Sequence, residues 1–414
     1  MTTTADVSAA YGIESPYAWR RLTAGLLLST IGGVGMWSVV VALPAMQADF
    51  GVDRGSASVP FTLTMLGFGA GNIVMGRLAD RFGIALPMAL GTVLLALGYI
   101  ACGFAGALWQ VSLLHGLLIG FGCSTSFGPL MADISHWFSK RRGSAVAIAA
   151  AGNYLAGTFW PPVVQHFIAS DGWRATHIGI GIFALITMFP LILVMRRRRI
   201  DDHSDATSSN DAKRRAESPF SPRTLQVLLC IAGVACCVAM SMPQVHLVAY
   251  CGDLGYGAAR GAEMLSLMLA FGIISRVGSG FVADKIGGVR TLLIGSVLQG
   301  VALLLYLPFN GLYSLYVISA MFGLFQGGIV PSYAIIVREY FSPKDASTRV
   351  GLVIFSTVIG MALGGWISGV IFDLTGSYQA AFLNGIAFNA INVSIMLWLL
   401  TRSRRGGRVV QAAA

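Results

Sequence analysis

The chain has 414 residues, of which 55% are hydrophobic and 11% charged, and a net charge of +10. Soluble globular domains carry about 25% charged residues, so an ordinary soluble enzyme or binding domain is excluded and the membrane class is indicated. The basic excess does not point to nucleic acid, because the 28 Lys and Arg residues are spread over short loops, where they set topology and meet anionic lipid head groups.

Residues 1–21 read as a polar, cytoplasmic N-terminal tail with Asp6 and Glu14 and no removable signal peptide. A helix needs about 20 apolar residues to cross a hydrocarbon layer about 30 Å thick, and the hydropathy predicts twelve such segments. Six of them, at 22–46, 57–77, 84–105, 109–133, 144–168 and 176–195, make an N-terminal bundle over 22–195. Residues 196–223 follow as a cytoplasmic linker with Asp201-Asp202, Lys213-Arg214-Arg215 and two Ser-Pro pairs, too poor in apolar surface to fold. Six more, at 224–250, 260–283, 289–308, 312–337, 350–372 and 380–401, make a C-terminal bundle over 224–401, and 402–414 form a cytoplasmic tail. The expected fold is an all-α membrane protein of twelve transmembrane helices in two six-helix pseudo-repeats.

The halves repeat in sequence. Gly76-Arg77-Leu78-Ala79-Asp80-Arg81-Phe82-Gly83, after the second segment, returns after the eighth as Gly280-Phe281-Val282-Ala283-Asp284-Lys285-Ile286-Gly287, an offset of 204 residues. Trp137-Phe138-Ser139 is answered by Tyr340-Phe341-Ser342, and Gly172-Trp173-Arg174-Ala175 by Ser377-Tyr378-Gln379-Ala380. A period this long marks a duplicated half rather than a solenoid, whose repeats run to about 20–50 residues. The basic residues fall almost entirely on one side of the predicted spans, with Arg54, Arg174 and Arg260 on the other, which places both termini in the cytoplasm.

Arg276 is the one fully charged residue within a span. It stands eight residues before Asp284, about 12 Å along a helix and near the midplane. A charge there costs at least about 2.5–3.5 kcal/mol on insertion scales, and all acidic residues lie in tails, loops or helix ends, with Asp133 the deepest. A substrate carboxylate suits the planar guanidinium fork; a structural arginine bonded to backbone carbonyls is the alternative. His115 and His246 each fall about 10 Å below the outer surface and are candidates for proton coupling, or for simple interhelical hydrogen bonding. Trp37, Asn153, Tyr154 and Gln326 lie near the expected midplane as candidate cavity residues. The six cysteines lack metal-ligand spacing and read as packing residues. Glycines at one-turn spacing, at Gly67-Phe68-Gly69-Ala70-Gly71, Gly116 and Gly120, and Gly360 and Gly364, allow close helix approach.

The duplicated motif, with an acid, a base and a closing glycine, resembles the signature loop of the major facilitator superfamily over essentially the whole chain. That resemblance implies two bundles rocking about a central site, with Gly76, Asp80, Arg81 and Gly83, and in the second copy Gly280, Asp284, Lys285 and Gly287, forming a gating motif in which Asp80 braces the cytoplasmic gate against helix eleven. Within the superfamily, Trp137 to Ala145 with Ala150-Ala151-Gly152 and Gly157 is similar to the segment-five signature of the monocarboxylate transporters. His246-Leu247-Val248-Ala249-Tyr250 with Asp253-Leu254-Gly255, and Arg276 with Gly280 and Asp284-Lys285-Ile286-Gly287, resemble their helices seven and eight, where the family's arginine binds the substrate carboxylate. The chain departs from mammalian members in having Gly272 one turn before the arginine and Trp37 in place of a lysine in helix one. The related oxalate–formate antiporter shares the helix-one tryptophan but adds a lysine where this chain has Thr357. One fixed positive charge matches a monoanion.

The resulting expectation is a secondary active transporter of a small organic anion, a monocarboxylate, working by alternating access with Arg276 as carboxylate anchor and either protons or a counter-anion as the coupled species. A proton-driven drug efflux carrier is an alternative, although Gly152 to Gly157 lacks the proline usual in its segment-five signature. A membrane anion sensor that does not transport is another. No phosphate-cradling loop, metal constellation or nucleophile–base pair is found, so neither an enzyme nor a cofactor is expected. The expected location is the inner membrane if the source is bacterial.

Overall fold

The computed structural model describes residues 13–197, 221–341 and 343–412. Most of the stretch read as a linker at 196–223, most of the N-terminal tail and the end of the C-terminal tail lie outside the described residues.

Apolar stretches of this length become helices because a helix satisfies its backbone internally where water is absent. The first is capped by Ser15, whose Oγ accepts from the Ala18 amide at 3.3 Å, with Pro16 in the first turn. It runs as α1 (Pro16–Gly32) and, after Gly33, α2 (Val34–Phe50), so helix begins ahead of the expected limit at residue 22. There follow α3 (Arg54–Ala57), α4 (Val59–Phe82), α5 (Ala85–Gly103) and α6 (Leu108–Leu114). A π-helical turn at His115–Gly120, α7 (Phe121–Ser124) and α8 (Gly128–Ser135) complete the fourth crossing. α9 (Arg142–Val194) is followed by α10 (Pro222–Asp253), α11 (Ala258–Ile286), α12 (Gly288–Leu305), α13 (Leu312–Gln326), α14 (Ile329–Tyr340), α15 (Pro343–Thr375) and α16 (Tyr378–Ala412). Helix thus continues through most of the stretch expected as a C-terminal tail.

Among the described residues, eleven helical stretches are long and apolar enough to cross a membrane. One of them, Gly143–Val194, has 52 residues and as a straight rod would be about 78 Å long, more than twice the hydrocarbon thickness. It is broken at Gly172, where φ is 82° and ψ is 161°. Each limb then suits one crossing, which makes twelve among the described residues, and the protein is an all-helical, multi-pass membrane protein.

The chain divides into two compact units, Met1–Asp202 with Cys251–Ser266, and His203–Tyr250 with Leu267–Ala414. In the first, glycines do what their spacing suggests: Gly67 of α4 lies against the carbonyl of Gly116, and Gly120 against that of Thr64. In the second, Leu225, Leu229, Cys236, Tyr333, Ile336 and Met396 form a buried apolar core, and Gly364 seats on Val238. All six cysteines are free thiols, five of them buried.

Arg21 departs from the loop role that the charge count gave it. It is completely buried in the first unit. Its Nε and Nη2 donate to Asp133 at 2.8 and 2.7 Å, Nη1 donates to the Tyr17 hydroxyl at 3.2 Å, and the guanidinium lies 4.8 Å from the Trp137 ring centroid. Tyr17 in turn donates to the Val194 carbonyl at 2.6 Å. This cluster fastens together α1, α8 and the end of α9. In the same unit, buried Arg54 donates to Gln47 at 2.6 Å and to both Asp253 oxygens at 3.0 and 3.3 Å.

Candidate functional site

The predicted site residues fall into a group in each unit. In the first, Trp37 on α2 directs its indole N–H toward Asn153 on α9, 3.3 Å from both the backbone carbonyl and Oδ1. The amide of Asn153 lies 3.4 Å from the Met36 sulfur. Small residues permit this approach: a Cβ on Gly33 would stand 2.5 Å from that of Ala156, and one on Gly152 equally close to Ser29. The narrow cleft between Met36, Phe68, Phe127 and Asn153 holds about 10 Å³, at the threshold for a single water. Tyr154 is half-buried beside Asn153. A larger cleft of about 340 Å³ lies elsewhere, between Phe104, Trp109 and Leu113, and none of the predicted site residues lines it.

In the second unit, Gln326 ends α13, fully buried, and its Oε1 accepts from Gln244 Nε2 at 3.0 Å. The amides' other atoms, Gln244 Oε1 and Gln326 Nε2, have no protein partner. The helix breaks over Gly327 and Gly328 before α14 begins. Those glycines seat on α11: a Cβ at residue 327 would meet the Gly272 carbonyl and lie 2.8 Å from Ser275 Cβ, and one at 328 would meet the Ser279 side chain. Gly272, Ser275 and Ser279 bracket Arg276, which is half-buried. The break after Gln326 and the turn carrying Arg276 are therefore packed together, a juxtaposition that sequence alone does not reveal. Trp37, Asn153 and Tyr154 belong to the first unit, Arg276 and Gln326 to the second.

The two candidate coupling histidines differ. His246 on α10 is buried and hydrogen-bonded through Nε2 to the Gly365 carbonyl at 2.7 Å; a carbonyl only accepts, so Nε2 carries the proton. His115 opens the π-helical turn and bonds through Nδ1 to Thr64 Oγ1 at 3.1 Å. A third histidine, His177, lies 5.8 Å from it, ring centroid to ring centroid. His177 sits at the very start of the predicted sixth segment and so reads as a helix-end residue. The clue available in sequence is its i, i+4 spacing from Trp173, whose carbonyl it bonds at 2.8 Å.

The duplicated motif takes the same shape twice. Gly83 closes α4 with φ 81° and ψ 165°, and Gly287 precedes α12 with φ 84° and ψ 164°. Only glycine adopts such angles without strain. Asp80 and Arg81 near the end of α4, and Asp284 and Lys285 near the end of α11, are exposed, and Gly76 and Gly280 face open space. Glu339 on α14 accepts from the Gly288 amide at 3.0 Å, a carboxylate at the positive end of α12.

Comparison with known proteins gives a consistent picture. The sequence model of the Major Facilitator Superfamily matches residues 25–312 and 264–413. Monocarboxylate transporter 13 of Bos taurus is 28% identical over 332 residues, covering 80% of this chain and 76% of that protein. Monocarboxylate transporter 12 of Mus musculus is 26% identical over 421 residues, covering 92% and 85%. Among solved structures, a bacterial homologue of the human lysosomal transporter Spinster, in an inward-facing and unoccupied conformation, superposes with a TM-score of 0.72 at 15% identity over 94% of this chain and 97% of that one. That likeness carries the fold.

Proposed function

Because the chain belongs to the Major Facilitator Superfamily, and is accordingly a secondary membrane transporter and not an enzyme, we propose that its substrate is a small organic anion, a monocarboxylate, anchored by Arg276. The observation that carries this reading is Arg276 itself, a half-buried guanidinium in the middle of an otherwise apolar span. A charge in that position is costly, and a carboxylate that takes two parallel N–H···O bonds from it offsets the cost with geometry as well as charge. The similarity to monocarboxylate transporters 12 and 13 supports the same substrate class. A single anchor charge matches a monoanion.

In this reading Trp37, Asn153 and Tyr154 contribute walls from the N-terminal bundle, 22–195, and Gln326 with Gln244 contributes amide groups from the C-terminal bundle, 224–401. The bundles alternate access around the bound anion. The two Gly-bounded motifs, at Gly76, Asp80, Arg81 and Gly83 and at Gly280, Asp284, Lys285 and Gly287, form the gate, on the side where both termini lie, the cytoplasm. For a bacterial source the membrane is the inner one.

The test is uptake of radiolabelled lactate, pyruvate, formate and oxalate into proteoliposomes. Saturable uptake of a monoanion is expected, abolished in Arg276→Ala and reduced at least about tenfold in Arg276→Lys, since lysine is a point charge and cannot present the planar fork. Both variants are expected to keep the wild-type melting temperature. Undiminished uptake in either would make Arg276 structural and reopen the substrate class.

A further inference from the structure

The first unit buries a second polar group that anion binding does not use. His115 and His177 are both fully buried, with ring centroids 5.8 Å apart. Each Nδ1 is already committed. The Trp173 carbonyl can only accept, so His177 Nδ1 carries a proton toward it. The Thr64 hydroxyl is the closer to the Pro60 carbonyl, at 2.7 Å against 3.1 Å to His115 Nδ1; with its one proton given to that carbonyl, its oxygen accepts from His115 Nδ1. Two neutral imidazoles fixed in these tautomers both present Nε2 as a bare lone pair. Neither Nε2 has a hydrogen-bond partner, and two acceptors cannot satisfy each other.

One added proton removes both deficits, by turning one ring into a donor to the other. The observed spacing of 5.8 Å lies between the roughly 5 Å between centroids of a direct N–H···N bond and the roughly 7–8 Å of one with a water inserted. Aromatic rings flank the pair: the Tyr99 ring lies 5.3 Å from His177 and 6.2 Å from His115, and the Trp173 ring 5.4 Å from His177. Tyr99 of α5, which flanks both rings, has Cys102 of α5 and Cys123 of α7 near it. Asp49 of α2 approaches through the indole N–H of Trp173 and is itself paired with Arg174; α4 contributes Thr64. His115 also opens a π-helical turn, a distortion that recurs at functional sites.

We propose that His115 and His177 together bind one proton, shared between their Nε2 atoms, in the interior of the first unit. A proton from bulk water forms an N–H bond at one Nε2 and is held by the other; release returns it to water, and no electrons move. Resting on the transport reading above, this is the proton that travels with the anion.

Solid-state 15N NMR of histidine-labelled protein in phospholipid vesicles, from about pH 4 to pH 9, reads the charge on each ring. The expected result is one proton for the pair, with both Nε2 signals moving together, and loss of that step in His115→Gln and in His177→Gln. Thr64→Val is the sharper variant. Without the acceptor at Nδ1, His115 moves its proton to Nε2 and donates to His177, so the neutral pair is satisfied and uptake of the extra proton is lost although both rings remain. The proposal is overturned by rings that titrate independently, by a lone remaining ring that titrates unchanged, by proton uptake that survives Thr64→Val, or by wild-type rings that both stay neutral, the outcome for a site that holds water only. In the coupled assay, a pH gradient is expected to accelerate uptake of labelled pyruvate by wild-type protein, and Thr64→Val to return it to the rate without a gradient. Acceleration that persists in Thr64→Val removes the coupling role. Wild-type vesicles that take up no carboxylate count against the anion reading, and the NMR result then decides the proton site by itself.

Discussion

In the second unit, Tyr333 donates to Asn392 Oδ1 at 3.0 Å, Asn392 donates to Ser296 Oγ at 2.7 Å, and Asn389 donates to Gln299 at 3.2 Å and to the Ser296 carbonyl at 3.1 Å. None of these buried side-chain atoms is left over. In the first unit, His115 and His177 are equally buried, yet each keeps an Nε2 that no protein group meets. Arg21 and Asp133 show that the first unit can also close a network, with both carboxylate oxygens engaged by the guanidinium. The difference therefore does not follow the half of the chain. A completed polar network away from water holds helices in register, whereas on the proposal above the unmet Nε2 atoms of His115 and His177 hold a proton.

That contrast makes stability the discriminating measurement. The largest effect is expected for Arg21→Ala, which strands Asp133 and removes one partner each of Tyr17 and Trp137; breaking one side of a buried ion pair costs about 3–5 kcal/mol, to be read from thermal unfolding in detergent. The double replacement Arg21→Met with Asp133→Leu should recover most of the loss, because no charge is left alone. Asn392→Leu comes next. It leaves the Tyr333 hydroxyl and Ser296 without their partner, at about 1–3 kcal/mol, with anion uptake per folded molecule unchanged. His177→Phe is expected to cost least, under about 1.5 kcal/mol, in the range of size-conserving swaps: it forfeits the bond to the Trp173 carbonyl but also removes an acceptor that had no donor. A cost for His177→Phe as large as that of Asn392→Leu would break the comparison and make the histidine one more packing group.

The crossings and the duplication were legible because both are written locally. Runs of apolar residues carry the spans, and Gly83 and Gly287, separated by the repeat offset, adopt the same backbone angles. The partnerships were not legible, since they join residues far apart in sequence. Arg21 looks like any arginine at a helix start until Asp133, 112 residues later, is brought against it. Asp253 likewise reads as the outer end of a span, with nothing to indicate Arg54, 199 residues earlier. Gln244 carries no motif and is noticed only because it faces Gln326. His177 is hidden for a different reason: the predicted sixth segment begins at residue 176, which puts this residue at a helix end, whereas it sits one turn inside a helix that begins directly after Gly172.

Gly172 has a further consequence, for the arithmetic of sidedness. Each crossing carries the chain to the opposite face of the bilayer, so the face on which Arg196 and everything after it emerges depends on whether the number of crossings before it is odd or even. The break at one residue, with angles that an L side chain rarely adopts, is what makes that number even. Were residue 172 to continue the helix, the parity would flip, and Arg196 would emerge on the opposite face of the bilayer. A single backbone corner thus decides on which face the first six crossings end.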